Sequence, residues 1–241
     1  MNTIRIDHGS TRMIAHRGLS GIERENTNAA FVAAGNRSYF GIETDVHKTG
    51  DGQFVIIHDE STLRVSGGTV DLNVETSHLC AAQALILPDK DDLPRGDLRL
   101  PTLSEYIRIC KKYEKICVLE LKNPFTREEI EEIIRIIRDH AYLEQVIFIS
   151  FVLENCVCLR ELLPGQKIQW LTSQPIDEAL IQTLCRYHLD LDTNYTYLTE
   201  AIVSKLHGCS VEVNCWTCDD AQAAEALCRM GVDYLTSNIL E

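Results

Sequence analysis

Short continuous apolar runs alternate along the chain with stretches whose apolar residues recur at helical spacing, the respective marks of buried strands and amphipathic helices. The runs fall at Met13 to Ala15, Ile42 to Val46, Phe54 to Ile57, Ile116 to Leu121, Val146 to Ser150, Lys167 to Leu171, Val211 to Thr217 and Val232 to Thr236, with a weaker one at His188 to Asp192. Between them, Thr27 reads as the N-cap of a helix that buries Ala30, Phe31 and Ala34 and ends at Gly35. Thr102 with Glu105 and Thr126 with Glu129 have capping-box spacing, and the second pair opens a helix whose Ile130, Ile133, Ile134 and Ile137 form a core stripe. Further helices are predicted at Val152 to Leu163, Asp177 to Cys185 and Leu198 to His207, and after Asp219, which reads as a cap together with Gln222. This alternation predicts a parallel sheet covered by helices, with one strand more than a closed (β/α)8 TIM barrel takes. The surplus strand is expected in the hairpin at 41–59, where strands and helices cease to alternate.

That hairpin carries the densest chemistry. Ile42, Thr44 and Val46 alternate with Glu43, Asp45 and His47, so a strand here projects both carboxylates from one face. Adjacent carboxylates repel, and they coexist as anions when a cation or a cluster of donors sits between them. Asp51-Gly52 is a strong hairpin signal; if those residues form the loop, Gly50 pairs with Gln53 and Asp45 lies opposite His58. The unbroken run from Phe54 to Ile57 predicts a strand buried on both faces. A buried strand that ends in His58-Asp59 needs a reason for its polar end.

Other strand ends repeat the theme. The first run stops at His16-Arg17-Gly18, a potential acid or base, a cation suited to phosphate and a conformationally permissive residue. The run at 116–121 carries Glu120, on one face with Lys122. Taken singly, such residues are commonly surface ion-pair partners. In a barrel, however, the carboxyl ends of the strands share one mouth, where Glu43, Asp45, His58 and Glu120 would meet. A third acid there strengthens the expectation of a cation. The polar, Asp-rich segment at 60–100 is too long for a simple connection and reads as a lid or binding loop that names no chemistry.

Composition narrows the picture. A chain of 241 residues, 45% of them hydrophobic, suffices for one large core, and a single domain over 1–241 is expected. A formal net charge of −13 without clustered basic residues argues against nucleic acid as a partner. The sequence shows neither a bilayer-length apolar run nor the apolar core of a secretion signal at its N-terminus, so a soluble, cytoplasmic protein without stable membrane insertion is expected. Of ten cysteines, Cys80, Cys110, Cys117, Cys156, Cys158, Cys185 and Cys228 mostly sit in apolar runs and are expected to pack as small hydrophobes. Cys215-Trp216-Thr217-Cys218 has zinc or redox spacing, but no second CxxC or HxxxH completes a tetrahedral site. His8, His47, His78, His140, His188 and His207 show no partners, and His47 alone lies on the Glu43-Asp45 face.

Ordered motifs extend over nearly the whole chain. They are AHRG at Ala15 to Gly18, ENT at Glu25 to Thr27, E-x-D-V at Glu43 to Val46, T-x-D-G at Thr49 to Gly52 and HD at His58-Asp59. PTL at Pro101 to Leu103, ELK at Glu120 to Lys122, SF at Ser150-Phe151 and WT at Trp216-Thr217 follow. In these the chain resembles the glycerophosphodiester phosphodiesterase family. The resemblance implies a TIM barrel with a small insertion after the third strand, at about 60–100, and hydrolysis of a small-molecule glycerophosphodiester to sn-glycerol 3-phosphate and an alcohol. It implies a divalent cation held by Glu43, Asp45 and Glu120, with His16 and His58 as acid and base in an order left open. Arg17 and Lys122 would contact phosphate, Trp216 and Phe151 would wall the pocket, and Glu25 would support the site near His16. All-carboxylate ligation suits a hard ion, Mg²⁺ or Ca²⁺, with Mn²⁺ as a further candidate. Arg24 stands where the family usually has proline before ENT, and Thr236-Ser237-Asn238 stands where Thr-Asp is common; neither change touches the residues assigned to metal or catalysis. Two other readings stay open: a lysophospholipid substrate on the same chemistry, or a barrel that binds a phosphorylated ligand without turnover.

Overall fold

The computed structural model describes residues 2–241. Its strands are β1 Arg12–Ala15, β2 Gly41–Lys48, β3 Phe54–Ile56, β4 Ile116–Leu121, β5 Val146–Ser150, β6 Lys167–Thr172, β7 Asp190–Asn194, β8 Val213–Trp216 and β9 Tyr234–Ser237. Its helices are α1 Asn28–Gly35, α2 Leu79–Ala84, α3 Leu103–Lys112, α4 Arg127–Asp139, α5 Leu153–Leu162, α6 Glu178–Tyr187, α7 Glu200–Gly208 and α8 Ala221–Met230. All strands except β3 run parallel in one ring, closed by β1 pairing with both β2 and β9. The ring is a (β/α)8 barrel, and β3, antiparallel to β2, is the surplus strand outside it. Among the described residues no helix is long and apolar enough to cross a membrane.

Alternation along each strand sorts the barrel into two layers. Ile42, Leu119, Phe148, Leu191 and Val213 face the helices, while Ile14, Val118, Ile149 and Leu171 fill the lumen. The apolar stripe of α4 is buried at Ile130, Ile133, Ile134 and Ile137, and both predicted capping boxes are formed. Tyr106 on α3, wholly buried, donates its hydroxyl proton to the Ile42 carbonyl 2.7 Å away. This contact ties the helix layer to the strand that carries the carboxylates.

The continuous apolar run at 54–57 is explained by two cores. Phe54 and Ile56 pack into the main core, whereas Val55 and Ile57 pack against a separate cluster built by Val65, Val74, Leu87, Leu98 and Leu100. The segment at 60–100, read from sequence as a loop without periodicity, therefore has its own core and the short helix α2. Its buried residues are too widely spaced along the chain to give a periodic signal.

Several local readings need correction. The hairpin register is Lys48 opposite Phe54, His47 opposite Val55 and Val46 opposite Ile56, so Asp45 faces Ile57, not His58. The turn closes one residue earlier than Asp51-Gly52 suggests: Thr49 N–H donates to the Gln53 carbonyl, the Thr49 hydroxyl sits between Asp51 and Gln53, and Gly52 takes the left-handed φ of +77°. Strand β7 starts at Asp190 because His188 ends α6 in a left-handed conformation. Asp220, not Asp219, caps α8, which frees Asp219 for the barrel mouth. Cys80 and Cys185 are exposed rather than core residues, while Cys110, Cys117 and Cys156 are buried.

Two glycines give opposed predictions. Gly18 has φ +76°, and a Cβ there would stand 2.7 Å from the Ala30 backbone, whereas Gly208 has open space around it. Gly18→Ala should cost about 1 kcal/mol or more in denaturant unfolding, and Gly208→Ala should be neutral or gain about 0.5 kcal/mol. Equal effects of the two substitutions would contradict the described backbone at Gly18.

Candidate active site

The parallel strands deliver Glu43 and Asp45 from β2 and Glu120 from β4 into the C-terminal end of the lumen, with Asp45 in register with Glu120. One carboxylate oxygen from each lies within 4.8 Å of the others. The three are 4%, 1% and 7% exposed, so this is a nearly dry cluster of acids. Burial, then Asp45, pushes Glu43 well above the usual carboxylate range, and the same two causes push Glu120 up to about 8. Burial acts the same way on Asp45, but Lys122 and Arg17 outweigh it and hold Asp45 well below its ordinary value. The cationic side chains thus neutralise one acid of three.

Those cations are themselves committed. The Lys122 ammonium lies 2.9 Å from Glu120 Oε1 and 3.4 Å from Asp45 Oδ1, yet neither oxygen has an aligned hydrogen-bond partner. Arg17 donates to Glu25 Oε1 at 2.8 Å, its Nε lies 3.5 Å from Asp45 Oδ2, and its backbone N–H donates to Glu43 Oε2. Asn26 donates to Asp45 Oδ2 at 2.7 Å and accepts from the Thr44 hydroxyl, a role for ENT that the sequence did not disclose. Buried oxygens converge from all three carboxylates, those of Asp45 and Glu120 orphaned; this is the donor set of a hard divalent ion, and the residues fit one. Among the described residues this is the one His, Cys, Asp and Glu group with such geometry, and Cys215 and Cys218 belong to no metal cluster.

The two histidines flank the acids with different partners. His16 Nδ1 lies 2.8 Å from the Asn238 side-chain oxygen, and Asn238 in turn donates its amide proton to Asp219. The amide oxygen accepts, so His16 carries its proton on Nδ1 and leaves Nε2 free, 3.9 Å from Glu43. Burial first, then Arg17, lowers His16 to about 4. The Thr236-Ser237-Asn238 departure therefore does touch a predicted site residue, because the last strand ends beside the first. His58 Nδ1 faces the Asp59 carboxylate at 2.6 Å; burial lowers His58, and Asp45 and Asp59 oppose that.

A chain of ion pairs joins the two halves. Glu25 accepts from Arg17 and, at 2.7 and 2.9 Å, from Arg64, and Arg64 also donates to Asp59. Burial opposes it, but Arg64 and Arg17 bring Glu25 down to about 2. Glu25 thus acts through Arg17 and Arg64, and the segment at 60–100, which named no chemistry, supplies Arg64. His47, without a partner in the sequence reading, pairs with Glu75 and donates from Nε2 to the His58 carbonyl.

These groups surround a cavity of about 130 Å³, lined also by Phe151, Trp216, Leu171 and Asp192. Phe151 is 43% exposed and meets Trp216 edge-on at 5.8 Å, so the pair forms the outer wall. All the residues singled out in the sequence lie in or beside this cavity; Asp192, Asn26, Arg64 and Asn238 join them without a sequence signal that marked them.

The chain is similar over nearly its whole length to known proteins. It is 30% identical over 230 residues to the glycerophosphodiester phosphodiesterase of Caldanaerobacter subterraneus, covering 95% of this chain and 94% of that one. It is 26% identical over 231 residues to a glycerophosphodiester phosphodiesterase of Bacillus altitudinis, covering 92% of each. Its fold matches that of an Oleispira antarctica phosphodiesterase in complex with the product sn-glycerol-3-phosphate, with a TM-score of 0.85, 27% identity and coverage of 95% and 93%. The model of the glycerophosphoryl diester phosphodiesterase family matches residues 16–240, and the chain belongs to that family.

Proposed function

We propose that this protein hydrolyses glycerophosphodiesters to sn-glycerol 3-phosphate and an alcohol, with a divalent cation at Glu43, Asp45 and Glu120 and proton transfer by His16 and His58. The observation that carries this is the convergence of three buried carboxylates, two of them under-neutralised, and two differently partnered imidazoles on one small cavity. When bound, a Mg²⁺ or Ca²⁺ ion supplies charge stabilisation at a nonbridging phosphate oxygen. Arg17 and Lys122 add positive charge to the same phosphate and keep the acids in place. His16, backed by a neutral amide, has a free Nε2 and accepts the proton of the nucleophile, a glycerol hydroxyl or water. His58, backed by the Asp59 carboxylate, is the better holder of a proton and delivers it to the leaving alkoxide. Trp216 and Phe151 wall the outer side. A cavity of about 130 Å³ suits a deacylated glycerol moiety.

The first test is release of glycerol 3-phosphate from a panel of glycerophosphodiesters after chelation and again with Mg²⁺, Ca²⁺ or Mn²⁺ restored. Release that depends on added metal is expected; metal-independent turnover would remove the role given to the acidic triad.

His16→Ala and His58→Ala should each lower kcat by about 10²- to 10⁴-fold with an unchanged circular dichroism spectrum. Full activity in either variant would exclude that histidine from proton transfer.

Asp59→Asn removes the carboxylate that favours protonated His58, so the proton affinity of His58 falls. The high-pH limb of kcat, where the acid is lost, should then move to lower pH, and a pH–rate profile that superimposes on the wild type would refute His58 as the acid.

A further inference from the structure

Besides Arg17 Nε and Glu120 Oε1 in the charged cluster, two buried polar atoms in the cavity wall are left without partners: Asp192 Oδ1 on β7 and Trp216 Nε1 on β8. Asp192 is 1% exposed. Its in-register neighbour Asn214 donates one amide proton to Gln169 Oε1 at 2.9 Å and accepts from the Thr236 hydroxyl at 3.3 Å, and it makes no hydrogen bond to Asp192 Oδ1. Arg17 and Lys122, the cavity's cations, are paired with Glu25, Asp45 and Glu120. A buried donor or acceptor left unpaired destabilises the fold, so two on one cavity wall point to a ligand that completes them.

We propose that Asp192 and Trp216 together bind a free hydroxyl of the substrate's glycerol moiety, and so select polyol phosphodiesters over analogues lacking that hydroxyl. This rests on the glycerophosphodiester reading above. The chemistry of the two orphans distinguishes among ligands. A hydroxyl both donates and accepts, so one group satisfies an indole N–H and a carboxyl oxygen at once. An ammonium head group has no acceptor for Trp216, and a phosphate oxygen, which only accepts, meets Asp192 only through the protonated carboxyl that burial favours. Because a hydroxyl can donate or accept, it pairs with the carboxyl in either protonation state. The cavity of about 130 Å³ matches a short polyol phosphate, and the exposed Phe151 at its rim leaves the second alcohol of the diester outside. A site built to hydrogen-bond a hydroxyl discriminates strongly against the analogue without it.

The test is calorimetric titration of wild type, Asp192→Leu and Asp192→Asn with glycerol 3-phosphate and with propane-1,2-diol 1-phosphate, which lacks the terminal hydroxyl, in Mg²⁺-containing buffer. Hydrolysis of glycerophosphocholine and its deoxy counterpart is followed in parallel. Wild type should bind glycerol 3-phosphate about tenfold or more tightly than the deoxy ligand. Asp192→Leu should erase that preference by weakening glycerol 3-phosphate alone, and Asp192→Asn, which keeps an acceptor oxygen, should retain part of it. Asp192→Leu should also melt no lower than wild type, since an apolar side chain replaces an unpaired carboxyl. Equal binding of the two ligands by wild type, or equal weakening of both by Asp192→Leu, would overturn the proposal. Discrimination in binding without hydrolysis of any diester would support the hydroxyl site while refuting the catalytic reading on which it was built.

Discussion

Three carboxylates held within 4.8 Å of one another in a nearly dry lumen set the terms for everything around them. Their mutual repulsion in a low-dielectric site is expensive, and the two nearby cations, Arg17 and Lys122, bring only Asp45 fully into the anionic range. The remaining strain is tolerated because the barrel supplies compensation elsewhere. Large apolar layers bury the strands on the helix side, and Tyr106 fixes the backbone of β2 where the acids start. A hard divalent ion would resolve the electrostatic conflict, so the proposed cation affinity and the repulsion within the cluster are two faces of one arrangement.

Around this cluster the chain builds position rather than additional chemistry. Arg17, Glu25, Arg64, Asp59 and His58 form a continuous ion-paired path from the first strand end, through the segment at 60–100, to the hairpin. The segment therefore braces His58 from outside the barrel, with His47 holding the His58 carbonyl from within. On the opposite side Asp219 orients Asn238, and Asn238 sets the tautomer of His16. One imidazole leans on an amide and the other on a carboxylate, and the proposed division into proton acceptor and proton donor rests on this difference in second partner.

Legibility from sequence followed the range of the interaction. Strand runs, capping boxes at Thr102 and Thr126, and the α4 stripe depend on neighbours a few residues away and were read correctly. The hairpin register is not legible locally because Asp51-Gly52 signals a turn but not which residue closes it; the Thr49 hydroxyl decides that. Asp219 precedes a helix and so has the local pattern of a cap, yet its neighbour Asp220 does that work. Arg64 and Asn238 lie 39 and 222 residues from the groups they orient, beyond the reach of any local pattern.

By itself the sequence determined the alternation of strand and helix, the helix caps, and the placement of Glu43, Asp45, His16, His58 and Glu120 at strand ends, because these follow from periodicity and local hydrogen bonding. Closure of β1 onto β9 brought Asn238 to His16, and the packing of 60–100 on β3 brought Arg64 to Glu25. Only the closed lumen made Asp192 a buried group on the cavity wall, since burial and the absence of a partner are properties of the surroundings and not of a residue's type.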